Sequence, residues 1–189
     1  RPTVLQSAFL AGAQMQGIDL RSAKLQGTDL IFSQMQGADL RLAQMQGADL
    51  RFAQMQGADL ANSQMQGADL TEATLRGANL MFAQMQGADF TRAQMQAAEL
   101  MNAQMQGSDL TATQFQVANL ANAYVFRASS NFIRTTDAQL TDLKLSKIQI
   151  IAKDKLIFNF IAEPILDTDI EEWLATTLPF IKSTSIKKA

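Results

Sequence analysis

Cysteine and histidine are both absent from the 189-residue chain. Without them the chain has no disulfide, no reactive thiolate, no Cys/His metal site and no catalytic triad with a histidine base. Basic residues are not in excess, because 16 lysines and arginines stand against 18 aspartates and glutamates. A nucleic-acid-binding surface normally needs a clear basic surplus, so we expect no direct binding of nucleic acid.

Long apolar runs are also missing. No stretch reaches the roughly 18 consecutive apolar residues that a membrane span requires. The N-terminal RPTVLQSAF lacks the apolar core of a signal peptide. We therefore expect no membrane span and a cytoplasmic location. The chain begins with Arg1 rather than methionine, as a processed or excised piece of a longer polypeptide would, and the missing part could carry the function.

The chain does contain an apolar residue at every fifth position, for example at Met45, Leu50, Met55 and Leu60. On a helix, steps of five advance about 140° net, so these residues would scatter over all sides. On a straight strand, an odd step sends successive residues to opposite faces. The spacing is satisfied if the chain bends after each pentad, so that every central residue points toward a common axis.

A second period, of ten residues, indicates how many sides the coil has. Glutamines flank methionine in one pentad, and aspartate precedes leucine in the next. A coil of three pentads would stack Gln44 on Asp59, whereas a coil of four would stack Gln44 on Gln64 and Asp49 on Asp69. Because an even number keeps like residues together, four sides are preferred.

The remaining pentad positions fit such a coil. Two residues before each centre the side chain is small, as at Ala43 and Ser63, so that one large and one small residue per side fill a narrow lumen. Glycine closes nearly all Gln-Met-Gln pentads, where a corner with positive φ would require it. No proline occurs between Pro2 and Pro164, as expected where nearly every amide joins a hydrogen-bonded ladder.

The units AQMQG, ADLRF, ADLTE and ANLMF resemble the A(D/N)LXX consensus of pentapeptide-repeat proteins. The resemblance covers about two thirds of the chain, from Leu5 to about Ala128, and Phe90 and Phe115 replace the central leucine. It implies an all-β solenoid, namely a right-handed, four-sided parallel β-helix, in a bacterial protein. Some members of this family inhibit DNA gyrase by mimicking duplex DNA.

The composition changes at about Ser129, where glycine disappears and lysine and isoleucine rise. We predict a β-helix domain over residues 1–128 and a mostly α-helical capping segment over 129–189. Within the cap, residues 169–183 are typical of an amphipathic helix, and helix is favoured for the ambiguous apolar stretch 140–162. This segment is also predicted to form a homodimer through Trp173, Leu174 and Phe180.

Stacking by twenty sorts the outward residues into four faces. Two opposite faces carry glutamine columns, such as Gln44 and Gln64, for which an amide ladder is favoured over a recognition surface. The other two carry aspartate columns, such as Asp49 and Asp69. For these, bonding to local backbone amides is favoured over cation binding or phosphate mimicry, because Asn79 fills the same position without charge.

Outward apolar residues form two clusters, which we predict to contact an unidentified protein partner. The residues are Ile31, Phe32 and Phe52 on one aspartate face, and Leu42, Met81, Phe82 and Met101 on the opposite one. No catalytic constellation and no cofactor site emerge from the sequence. The favoured function is a non-enzymatic scaffold for protein–protein contact.

Two other functions stay open at this point. One is a DNA-mimicking inhibitor or protector of a type II topoisomerase such as gyrase, against which Arg21, Arg41 and Arg51 argue because each follows an aspartate by two residues. The other is a structural arm of a larger enzyme or membrane protein.

Overall fold

The computed structural model describes residues 2–125, Ala128 and three short strands: β1 (Ile133–Arg134), β2 (Ile150–Ala152) and β3 (Lys155–Leu156). Over residues 2–125 the chain forms isolated parallel bridges, and each joins a residue to the one twenty positions further on. Gln44 pairs with Gln64 and Asp49 with Asp69. Four pentads therefore complete one coil, which confirms the predicted four-sided solenoid.

The coils are joined by backbone hydrogen bonds that repeat from side to side. The Met45 N–H donates to the Gln64 carbonyl at 2.7 Å, and the Gln64 N–H donates to the Ala43 carbonyl at 2.9 Å. A β-turn closes the pentad, with the Ala48 N–H donating to the Met45 carbonyl at 3.0 Å. Because so many amides are used in this way, a proline would remove a ladder bond at most positions.

The two inward positions of each pentad form one continuous core along the solenoid axis. The central Met45 and Leu50 and the small Ala43 and Ala53 are all fully buried, as predicted. Each buried leucine or methionine contributes about 1.5–3 kcal/mol of gross hydrophobic stabilisation. In the first coil the central residues Leu5, Leu10 and Met15 are only partly buried and pack against this core, whereas Leu20 is buried.

Each pentad from Leu5 to Leu120 turns on a residue with positive φ, two positions after the centre. Ten of these corner residues are glycines, which confirms the predicted reason for them. The other fourteen are not glycine, and they include large apolar residues such as Phe32 (φ 57°), Leu42 (φ 60°) and Phe82 (φ 59°). A side chain in this left-handed region costs about 1 kcal/mol relative to glycine.

Beyond the solenoid, β2 pairs in parallel with β1 and antiparallel with β3. The helix favoured for residues 140–162 is therefore wrong at β2 and β3. The β-branched isoleucines of β2 favour an extended backbone, and only two residues separate β2 from β3, a spacing that suits a hairpin.

The remaining predictions for the C-terminal region concern residues outside those the structure describes. They are the amphipathic helix over 169–183 and the homodimer contacts Trp173, Leu174 and Phe180, which stay predictions together with the division into 1–128 and 129–189. Within the described part of the chain, no helix has the length and apolar character needed to cross a membrane.

Candidate partner-contact surface

Stacking by twenty gives the solenoid four faces. The two glutamine faces have pentads centred on Leu25, Met45, Met65, Met85 and Met105, and on Met35, Met55, Leu75, Met95 and Phe115. The first acidic face has pentads centred on Leu10, Leu30, Leu50, Leu70, Phe90 and Leu110. The second acidic face has pentads centred on Leu20, Leu40, Leu60, Leu80 and Leu100.

On the glutamine faces the side-chain amides bond from one coil to the next. Gln46 Nε2 donates to Gln64 Oε1 at 2.6 Å, and Gln66 Nε2 donates to Gln84 Oε1 at 2.7 Å. The predicted amide ladder is thus present, but it runs diagonally, from the glutamine after one centre to the glutamine before the next. These bonds hold the coils together and leave fewer amide groups to recognise a partner.

On the acidic faces the aspartates bond to backbone amides two residues further along. Asp69 Oδ1 accepts from the Thr71 N–H at 2.9 Å, and the uncharged Asn79 Oδ1 accepts from the Met81 N–H at 3.1 Å. The favoured local role of these side chains is therefore confirmed. Among residues 2–125 and Ala128, no group of three or more carboxylates has an arrangement that could hold a metal ion.

Arginines compensate part of the charge on both acidic faces. Arg51 Nη2 lies 2.7 Å from Asp49 Oδ2, and its Nε lies 3.6 Å from Asp69 Oδ2, so that one guanidinium bridges two coils. The hydrogen bond from the Arg51 side chain lowers the pKa of Asp49. The corresponding bond from Arg21 lowers the pKa of Asp19 from 3.8 to about 2.

The apolar cluster on the first acidic face has an aromatic stack at its centre. Phe32 and Phe52 occupy the same corner in successive coils, and their ring centroids lie 4.8 Å apart with the planes inclined by 14°. Both rings are exposed, Phe32 by 59% and Phe52 by 38%, and Ile31 beside them is half-buried. The stacking predicted from the twenty-residue spacing is therefore present.

The apolar cluster on the second acidic face contains fewer neighbouring residues than the sequence predicts. Met81 and Met101 are half-buried and follow one another in adjacent coils, next to the 48%-exposed Phe82. Leu42 is exposed, but Asn62 occupies the corner between it and Phe82. The cluster thus consists of Met81, Phe82 and Met101, with Leu42 separate from it.

Sequence reasoning did not single out three other exposed apolar residues, namely Val4, Phe9 and Val117. Phe9 is the most exposed and occupies the place before a centre where aspartate stands in the following coils. An apolar residue at a position that is aspartate in the following coils is the sequence feature that could have identified Phe9.

Comparison with known proteins agrees with this geometry. Segments 3–31, 23–62, 53–92 and 63–100 match the family described as pentapeptide repeats (8 copies). None of the curated proteins compared with the chain matches it.

Similar solved structures include two proteins of the cyanobacterium Nostoc. HetL, a pentapeptide-repeat protein involved in heterocyst differentiation regulation, is 25% identical over 78% of each chain, with a TM-score of 0.41. The pentapeptide-repeat protein alr5209 is 27% identical over 49% of this chain and 74% of its own, with a TM-score of 0.43. Trypsin-treated QnrB1, a plasmid-mediated fluoroquinolone resistance protein, is 12% identical over 80% of each chain, with a TM-score of 0.48.

Proposed function

The chain belongs to the pentapeptide-repeat family, and from this premise we propose that it is a non-enzymatic scaffold that contacts a protein partner. The contacts are the apolar cluster Ile31, Phe32 and Phe52 and the opposite cluster Met81, Phe82 and Met101, with Leu42 as a separate contact. The proposal includes a bacterial, cytoplasmic location and no cofactor.

The proposal rests on the observation that the Phe32–Phe52 stack is energetically unfavourable for the protein without a partner. Both residues have positive φ, at corners where ten other pentads use glycine, and both leave a large part of an aromatic ring in water. Neither the turn nor the core requires a ring at this position. Strained, exposed aromatic residues are typical of contact sites, where a partner covers the apolar surface.

The second cluster has similar features on the opposite side of the solenoid. Phe82 also has positive φ, and the thioethers of Met81 and Met101 present a polarisable surface that adapts to irregular partners. Because the two clusters lie on opposite faces, they would contact either two partners or two arms of one partner.

The ion pairs favour this scaffold over a DNA-mimicking inhibitor or protector of a type II topoisomerase. A mimic of the phosphate backbone needs a row of uncompensated negative charges. Here Arg41 bridges Asp39 and Asp59, and Arg51 bridges Asp49 and Asp69. A gyrase supercoiling assay separates the two functions, since the scaffold at micromolar concentration should neither inhibit nor protect the enzyme.

Affinity capture with the immobilised full chain tests the scaffold directly. The double variant Phe32→Ser plus Phe52→Ser should lose the captured partner, and Phe82→Ser should lose whatever binds the opposite face. Asn62→Ser is the matched control, because it changes a polar corner of the second acidic face. Identical captured proteins for all these variants and the wild type would contradict the proposal.

A further inference from the structure

The Phe32–Phe52 stack is covered at one end and open at the other. The corner that follows Phe52 is Glu72, whereas the corner that precedes Phe32 is Gly12. Gly12 keeps the register of the column, because its N–H donates to the Ile31 carbonyl at 2.7 Å. Apart from Gly12 and its two chain neighbours, no atom of the described residues lies within 4 Å of the place where a Cβ of Gly12 would be, as at eight of the other nine glycine corners. The larger exposure of Phe32, 59% against 38% for Phe52, agrees with this one-sided covering.

The open end, which we call the Gly12 gap, lies one coil beyond Phe32. The two phenylalanine rings already stack with centroids 4.8 Å apart. A third ring at the same step would lie over Gly12, in contact with the uncovered side of the Phe32 ring. Centroid separations of about 4.5–7 Å are those that aromatic pairs prefer. The gap therefore offers one planar ring a place in an existing stack.

The charge around the gap restricts the group that carries such a ring. The whole first acidic face has six carboxylates, Asp29, Asp49, Asp69, Glu72, Asp89 and Asp109, against Arg51 and Arg92, a net charge of −4, and Asp29 is the one in the coil next to the gap. Arg51 is held by Asp49 and Asp69, while within the described chain Asp29, on the same coil as Phe32, has no basic group within 4 Å. A phosphate-bearing base would be repelled here, whereas lysine or arginine next to the ring would be attracted.

Building on the scaffold function above, we propose that the Gly12 gap binds an aromatic side chain of the partner protein, flanked in the partner by basic residues. The ring extends the Phe32–Phe52 stack, and the basic groups face the aspartates. The first acidic face thus recognises an aromatic residue within a basic segment.

A pair of substitutions at Gly12 separates the gap from the backbone around it. Gly12→Phe fills the gap with a ring of the chain itself, and the same corner already accepts phenylalanine at Phe32 and Phe52. Gly12→Ser is the matched control, since Ser7 (φ 54°) and Ser22 (φ 55°) occupy equivalent corners with positive φ and a serine leaves most of the gap empty. Thermal unfolding followed by circular dichroism establishes that both variants keep the solenoid.

The probes are three short peptides, titrated into the full chain and followed by NMR of the phenylalanine rings and the Gly12 amide. Acetyl-Lys-Trp-Lys-amide should bind with millimolar affinity and shift the Phe32 and Gly12 signals but not those of Phe82. Acetyl-Lys-Leu-Lys-amide, without a ring, and acetyl-Glu-Trp-Glu-amide, with opposite charge, should each bind about fivefold more weakly. Gly12→Phe covers the Phe32 ring and should abolish the shift of the Phe32 signal, whereas Gly12→Ser should retain it.

Several results would overturn this inference. They are equal binding of the leucine probe, an undiminished shift of the Phe32 signal in Gly12→Phe, and preference for the acidic probe or for adenosine monophosphate. Affinity capture distinguishes this failure from failure of the scaffold. If the partner is lost with Phe32→Ser plus Phe52→Ser but retained by Gly12→Phe, the cluster is an interface and the gap is not. If every variant captures the same proteins, the scaffold itself is wrong.

Discussion

Ser63 carries a buried hydroxyl group that costs the fold stability. Its side chain points into the lumen, is fully buried, and its Oγ has no hydrogen-bond partner. The residues stacked on it in the adjoining coils are Ala43 and Ala83, which are equally buried. The repeat therefore accepts alanine at this place, and Ser63→Ala should remove the hydroxyl without leaving a significant cavity.

The size of the effect follows from the desolvation of the hydroxyl. A buried polar group without a partner costs about 1–3 kcal/mol, and alanine at this position avoids that cost. Ser63→Ala should therefore raise the free energy of unfolding by about 1–3 kcal/mol. In urea, with a slope of about 1–3 kcal/mol per molar for a small protein, the middle of both ranges corresponds to a rise of about 1 M in the midpoint.

Urea denaturation of the full chain, followed by circular dichroism, measures this shift. Ser108→Ala is the matched control, because Ser108 is also fully buried but its Oγ donates to the Met105 carbonyl at 2.7 Å. That variant should lower the midpoint, since it loses a hydrogen bond worth about 1 kcal/mol. If Ser63→Ala also lowers the midpoint, the hydroxyl has a stabilising partner and the reasoning fails.

Three further predictions concern the core, an ion pair and the corners. Leu70→Asp places an unpaired carboxylate in the fully buried centre and should abolish cooperative unfolding in a thermal melt. The control Leu70→Met should cost less than about 1.5 kcal/mol. A stable aspartate variant would contradict the burial of this residue in the core. Arg51→Gln removes the hydrogen bond that lowers the pKa of Asp49, so that NMR titration should find this pKa closer to 3.8. A carboxylate whose pKa is lowered in the folded state stabilises the fold above about pH 4, so the stability advantage of the wild type over Arg51→Gln should shrink as the pH falls below 4. An unchanged pKa of Asp49 in the variant would show that Arg51 does not lower it. Ala97→Gly should raise, and Gly87→Ala lower, the free energy of unfolding in urea by about 1 kcal/mol, since both corners have positive φ; shifts of the same sign would show that φ does not set the preference.

The solenoid could be predicted from the sequence because one simple requirement fixes it. A residue at every fifth position must be buried, and neither a helix nor a straight strand buries such a set. The ten-residue alternation then leads to stacking by twenty, as in the bridge between Gln44 and Gln64. The Phe32–Phe52 stack follows from the same arithmetic, since the two residues are twenty apart.

Other features depend on interactions that the local sequence does not signal. Positive φ is normally indicated by glycine or asparagine, yet here the ladder on both sides imposes it on Phe32 and Leu42. The Gly12 gap emerges only when the whole corner column is known. β2 forms a strand rather than a helix because it pairs with β1, seventeen residues earlier, and such a distant partner is invisible in a short apolar run.

A repeat of ten within a coil of twenty gives insertions and deletions an unusual meaning. Five extra residues would set glutamines against aspartates where the coil before the insertion meets the coil after it, and would interrupt both ladders there. Ten extra residues between Phe52 and Phe82 would keep every like-with-like neighbour and turn the downstream part by half a revolution. Phe82 would then continue the line of Phe32 and Phe52 along one edge. A single ten-residue duplication could thus move both apolar clusters from opposite faces to the same face of the solenoid.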